Sequence, residues 1–94
     1  MSNLLHEPQP GLFALVFRWE DAGKIYTHVW GYYESKLDAQ YDGERYVQDF
    51  NFHTCLVVGV NKDMMSSKKA KEFTLESKKW VDVKLEERIK MESA

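Results

Sequence analysis

Two β-rich segments joined by Glu20-Asp21-Ala22-Gly23 constrain this chain more than any other feature. Residues 12–19 set Phe13, Leu15, Phe17 and Trp19 on one side and Leu12, Ala14, Val16 and Arg18 on the other. Apolar side chains on both sides predict a strand covered on both faces for most of its length. Lys24 to Tyr33, rich in β-branched and aromatic residues, predicts the returning strand. Gly23 stands late in the loop between them, where a positive φ is often needed. Pairing Trp19 with Lys24 sets Phe17 against Tyr26, Leu15 against His28 and Phe13 against Trp30. One face becomes a continuous aromatic-aliphatic surface. The other carries the smaller Ala14, Val16, Ile25, Thr27 and Val29.

Beyond this hairpin, Ser35 followed by Asp38 resembles a capping box and predicts a helix from Lys36 to about Phe50. Ala39, Gly43, Tyr46, Val47 and Phe50 fall on one face of it. Gly43 costs about 1 kcal/mol relative to Ala inside a helix. Close packing of helix on sheet would explain it, and a helix break is the competing reading. Thr54 to Val60 is almost wholly apolar and predicts a buried central strand. Residues 61–70, polar and rich in Lys and Ser, are expected to be a loop with at most one helical turn. In residues 72–85 the period-two spacing of Phe73, Leu75, Val81 and Val83 favours a second hairpin. Val81, Leu85 and Ile89 also fit a helical stripe, and both readings stay open. The expected fold class is α+β, order ββαβ(ββ): a small, mainly antiparallel sheet of four to five strands with one main helix on one face. Residues 1–10, with Pro8 and Pro10, are expected to be a flexible lead-in, 11–85 the single domain, and 86–94 a short helix or frayed tail.

Ninety-four residues allow one core. Eleven of the thirteen aromatics lie between Phe13 and Phe52, so the first two-thirds of the chain should hold most of it. The single cysteine excludes an intramolecular disulfide, the first ten residues do not read as a signal peptide, and no apolar run reaches the length of a membrane helix. A cytoplasmic protein that does not enter membranes is the expectation. Residues 1–61 carry four Lys/Arg against eight Asp/Glu, and residues 62–94 nine against seven. This is weaker than the basic bias usual in nucleic-acid-binding domains.

No catalytic or metal-binding constellation is legible. The five glycines are scattered and form no phosphate loop, and His6, His28 and His53 are too far apart for ligand spacing. Cys55, inside the most apolar segment, reads as a buried, inert thiol. His28 reads as a hydrogen-bonded packing residue of the aromatic face, and His53 as a turn residue. The expectation is therefore no enzyme, no catalytic residue, no metal and no cofactor.

Two features rise above this background. Trp19, Tyr32 and Tyr33 stand at the ends of the first two strands, where one helix would not reach to cover them. With Glu20, Asp21 and Glu34 around them they would form an apolar centre with an acidic rim, suited to a basic protein surface or to self-association. The plainer reading is that these aromatics are core. The second feature is Lys68, Lys69, Lys71, Lys78 and Lys79, which could contact phosphates. As edge-strand lysines they would equally guard against aggregation. The expected function is a non-enzymatic protein-binding module of inhibitor, immunity or adaptor type. Its dense aromatics have the style of small phage or mobile-element accessory proteins, which would place it in a host cytoplasm, although no motif identifies a family. The alternative is an RNA- or DNA-binding protein that stacks bases on Tyr and Trp and uses these lysines. A third reading is an accessory enzyme subunit.

Overall fold

A computed structural model describes residues 4–89. Five strands and two helices follow in the order β1 (Phe13–Asp21), β2 (Lys24–Tyr33), α1 (Lys36–Phe50), β3 (Thr54–Val60), β4 (Ser66–Thr74), β5 (Trp80–Lys84) and α2 (Leu85–Ile89). The strands form one sheet in the order β2-β1-β3-β4-β5, and every neighbouring pair is antiparallel. The small α+β fold expected from the sequence is the one observed. β2 and β3 flank β1 and run in the same direction, so α1 carries the chain across β1 from one to the other.

The first hairpin closes more tightly than expected. Asp21 pairs with Lys24, leaving Ala22 and Gly23 as the turn, with φ of 52° and 80°. Positive φ at both central residues is the type I′ geometry that matches strand twist. Trp19 therefore faces Tyr26, and Phe17 faces His28, two residues away from the expected register. An even shift keeps every side chain on its face. A bulge then follows: Val16 pairs with Val29 but Leu15 with Gly31, so Trp30 is the extra residue. The bulge exchanges the faces of all β2 residues after it. Tyr33 turns to the helix side and Tyr32 to the opposite side.

α1 starts as read, with the Asp38 N–H donating to Ser35 Oγ at 3.4 Å. Asn51, in the left-handed region at φ 58°, ends it, and the Phe52 N–H donates back to the Val47 carbonyl at 3.1 Å. Ala39, Gly43 and Val47 are buried on the sheet. Gly43 is a packing residue, not a break. A methyl group there would lie 2.8 Å from Leu15 Cδ1 and 2.9 Å from Cys55 Sγ, both on fully buried side chains. Gly43→Ala should therefore lose about 1–3 kcal/mol by overpacking, despite alanine's better helix propensity. A denaturant midpoint at or above that of the wild type would contradict this.

The register builds the core in rows. On the helix side, His28, Phe17, Cys55, Phe73 and Trp80 lie side by side across all five strands. The central three of these are fully or almost fully buried, whereas His28, on the outermost strand, is exposed and does not pack among the aromatics as expected. On the other side run Val29, Val16, Leu56, Glu72 and Val81, and beside them Tyr32, Ala14, Val58, Ala70 and Val83. α2 packs on this side through Leu85, and Arg88 Nε donates to Glu72 Oε2 at 2.7 Å.

Two segments depart from the sequence expectation, and between them a third resolves to the favoured one of its two readings. Ser66–Ala70, expected as a loop, is the first half of β4, because its backbone completes the ladder to β3. Residues 72–84 form a hairpin, with Glu72 opposite Val81, and of the helical alternative only Leu85 to Ile89 is a helix. The expected lead-in is tied down at Leu4 and Leu5: Leu5 exchanges two backbone hydrogen bonds with Tyr32, at 2.7 and 2.8 Å, and Leu4 packs on the core. Of the expected C-terminal tail, α2 is a short helix and residues 90–94 lie outside the described residues.

Candidate protein-binding surface

One end of the molecule gathers the β1–β2 turn, the C-terminus of α1 and the β4–β5 turn. The other gathers the N-terminus of α1 and the β3–β4 turn. The aromatics concentrate at the first end. Trp19 and Tyr26, opposite each other in the ladder, stack with centroids 5.7 Å apart and planes 17° apart. Phe52, swung back by the Asn51 cap, lies 5.5 Å from Trp19 and 4.8 Å from Phe17. Phe50 follows at 5.8 Å from Phe52 and 5.7 Å from Tyr46, and Tyr46 at 5.2 Å from Trp30. The chain of rings is continuous from the fully buried Phe17 to the surface. Trp19, Trp30, Tyr46 and Phe52 are half-buried, while Tyr26 is 41% and Phe50 56% exposed.

Its rim is mixed in charge. Glu20, Asp21 and Lys24 lie exposed around the hairpin turn, and Arg45 and Asp49 pair at 3.7 Å beside Phe50. On the sheet's other side, a recess of about 290 Å³ opens beside Trp19, lined also by Ile25, His53, Thr54, Thr74 and Arg88. His53 Nδ1 is 2.8 Å from Thr54 Oγ1, and the backbone of His53 accepts from Leu75 and donates to Arg18. These bonds tie the segment after α1 into the sheet, so the aromatic end rests on a braced backbone.

The sequence-expected interface residues divide. Trp19, Glu20 and Asp21 belong to the aromatic end. Tyr32, Tyr33 and Glu34 lie about 20 Å or more along β2, at ~3.3 Å per residue. Tyr32 is half-buried on the face away from α1. Tyr33 is fully buried, its hydroxyl donating to Asp42 Oδ2 at 2.7 Å, and offers no surface to a partner. The bulge at Trp30 is the reason. Tyr26 and Phe50, the most exposed rings of the cluster, were not among the expected residues. A usable signal was Phe50 on the last turn of the helical stripe, directly before the cap at Asn51.

The lysines do not converge on the aromatics. Lys68 and Lys69 lie at the start of β4 with Lys84 opposite Lys69, beside a recess of about 720 Å³ at the end away from Trp19. Lys71 pairs with Asp82 at 2.7 Å and holds that carboxyl below its ordinary range. Lys78 and Lys79 sit in the β4–β5 turn, at the aromatic end but on the far side of the sheet from β2.

Two buried titratable groups matter for stability. Burial pushes the Cys55 thiol well above its ordinary range. Burial, reinforced by the hydrogen bond to Asp42, does the same to the Tyr33 phenol. Both groups keep their protons in the folded state at pH values where the unfolded chain releases them. Their contribution is complete below about pH 8 and falls as pH rises through the unfolded values near 8.5 and 10, a loss of roughly 2 kcal/mol by pH 10. Unfolding midpoints measured from pH 7 to 10 should drop accordingly, and Cys55 should resist thiol reagents until denaturant is added. A flat profile, or rapid labelling of the native protein, would contradict the burial of these groups.

Among the described residues, no helix is long and apolar enough to cross a membrane, and no three His, Cys, Asp or Glu side chains gather as a metal-binding group. No family model matches the chain, and neither the curated proteins nor the solved structures yield a match.

Proposed function

We propose that this chain is a non-enzymatic protein-binding module that docks through its aromatic end, with Tyr26, Trp19 and Phe50 as anchors. The observation that carries this reading is the continuous run of rings from Phe17 in the core to Tyr26 and Phe50 at the surface. Large rigid rings bury much area for few rotatable bonds, and a braced backbone beneath them keeps the ordering cost low. Glu20 and Asp21 supply an acidic margin on one side, suited to a basic segment of the partner. Glu34, at the far end of β2, belongs to no such rim. An inhibitor, immunity or adaptor protein would use a surface of this kind. A small phage or mobile-element accessory protein acting in a host cytoplasm fits the same description.

The nucleic-acid reading has less support. Its lysines are split between both ends of β4, and Lys71 is paired with Asp82, so among the described residues these five lysines form no track to the rings. Affinity capture from cells of the source organism discriminates the two. Tagged wild-type protein should retain a partner that survives nuclease treatment and is lost from a Tyr26→Ser/Phe50→Ser variant. Capture abolished by nuclease, or identical for both proteins, would overturn the proposal.

A further inference from the structure

Two lysines stand where the fold makes a positive charge unfavourable, and both line the same recess. Lys36 is the first residue of α1, at the end of a helix that favours acids such as Asp38 over cations. Lys69 lies opposite Lys84 in the β4–β5 ladder, and like charges directly opposite each other destabilise a sheet. The recess measures about 310 Å³ and lies on the α1 side of the sheet, at the end away from Trp19. Lys36, Lys69 and Lys71 line it together with Phe13 and Gly59, and Asp82 is its one carboxylate.

A break in the ladder shapes this corner. Val58 pairs with Ala70 and Val60 with Ser66, so Ser67, Lys68 and Lys69 together stand across from Gly59. A bulge of this kind re-aims the side chains of its strand, and bulges are over-represented beside functional sites. Lys71 meets Asp82 at 2.7 Å. The Asp82 carboxyl is held below its ordinary range by Lys71 and, from further off, by Lys69 and Lys36, so the three lysines surround one point. Among the described residues, Lys36, Lys69 and Lys84 form no ion pair. Glu86 and Glu87 line neighbouring recesses with Lys69 and Lys84 but pair with neither.

Sequences break local rules chiefly at functional sites, and here two such breaks converge. We propose that this recess binds a compact oligophosphate, such as the triphosphate of a nucleotide, through Lys36, Lys69 and Lys71. Lysine binds phosphate as a point charge, without the planar fork that would select a carboxylate. Lys69 and Lys71, two residues apart on one strand, set their stems roughly 7 Å apart, and Lys36 approaches from the helix. That spread suits a short run of phosphates better than a single one. Lys84 adds its charge from across the ladder. The volume lies at the low end of the range for small-molecule pockets, about 300–1,000 Å³, which favours a small ligand over a polymer. A bound oligophosphate turns both unfavourable charges into partners. The inference does not depend on the aromatic-end reading, since the recess shares no residue with that surface.

Calorimetric titration with sodium triphosphate at low ionic strength, with melting curves on the same preparations, tests this. The wild type should bind at one site and melt higher as the ligand is added. Lys36→Gln/Lys69→Gln should bind at least about tenfold more weakly, the loss of two charged hydrogen bonds. Without ligand it should melt at or slightly above the wild type, because both unfavourable charges are gone. Asp82→Asn removes the carboxylate that competes for Lys71 and should bind more tightly. Lys78→Gln/Lys79→Gln, the same change of charge in the β4–β5 turn, should bind as the wild type does. A nucleoside triphosphate titrated beside the inorganic one distinguishes the two sources: equal affinity assigns the site to phosphates alone, and tighter binding assigns it to a nucleotide. A wild type that does not bind, equal weakening by the two double variants, a Lys36→Gln/Lys69→Gln variant that melts well below the wild type, or tighter binding of a short single-stranded DNA than of either triphosphate would each overturn the proposal.

Discussion

Replacing Phe17 by alanine should remove about 3–5 kcal/mol of folding stability, the range for truncating a fully buried aromatic. Phe17 has no exposed surface and stands in the helix-side row between His28 and Cys55. Trp30 meets it edge-on at 5.6 Å and 83°, Tyr46 at 6.2 Å and 67°, and Phe52 at 4.8 Å. Each such pair contributes roughly 0.5–1.5 kcal/mol beyond the area it buries, and the cavity left by the ring adds to the loss. Since a domain of this size is stable by only about 5–15 kcal/mol, the variant should melt at least about 12 °C lower. A loss under about 1 kcal/mol would mean that Phe17 is not the keystone of the aromatic cluster.

Much of this fold was legible because several local signals agreed. Lys36–Phe50 has a cap at Ser35, an apolar stripe and a clear end, and Thr54–Val60 is an unbroken apolar run, so both elements were read with the bounds they have. The turn differs from the sequence expectation by two residues because alanine is a poor left-handed residue and Ala22 disguises a type I′ turn usually marked by Asn-Gly. The bulge at Trp30 had no local sign, since Val29, Trp30 and Gly31 read as continuous strand. Its consequence was large: Tyr33 moved into the core, where Asp42 satisfies its hydroxyl. Ser66–Ala70 is not legible as a strand because polar strand residues beside an apolar neighbour carry no alternation. What the pairing with β3 supplies there is a long-range contact, not a local pattern. Of the candidate surface, Trp19, Glu20 and Asp21 were legible from their place at the turn. Tyr26 and Phe50 were not, because their juxtaposition depends on the shifted register and on the Asn51 cap.

The double substitution Tyr26→Ala/Phe50→Ala should weaken partner binding by about 2–4 kcal/mol, roughly 30- to 1,000-fold. Each ring keeps about half of its surface exposed in the free chain, and that half is available for burial on docking. Tyr26 leans on Trp19 and Phe50 on Phe52, contacts that hold both rings in place before a partner arrives. Removing them takes away anchor area and lets water reach Trp19 and Phe52. The stability change should stay below about 1 kcal/mol, the usual limit for surface substitutions being near 0.5. This separation from Phe17→Ala, which should lose stability first, distinguishes a surface built for contact from one left over by an imperfect core.

The most direct measurement is a binding titration of the captured partner against wild type and the Tyr26→Ala/Phe50→Ala variant, at about 50 and 200 mM salt, with unfolding midpoints taken on the same preparations. Docking on the rings should give the wild type an affinity that changes little with salt, whereas 6–10 phosphate contacts would lower it about 10³–10⁵-fold over this range. The variant should bind at least about 30-fold more weakly at both salt concentrations while unfolding near the wild-type midpoint. Undiminished binding by the variant, or a steep salt dependence in the wild type, would contradict the assignment of this surface.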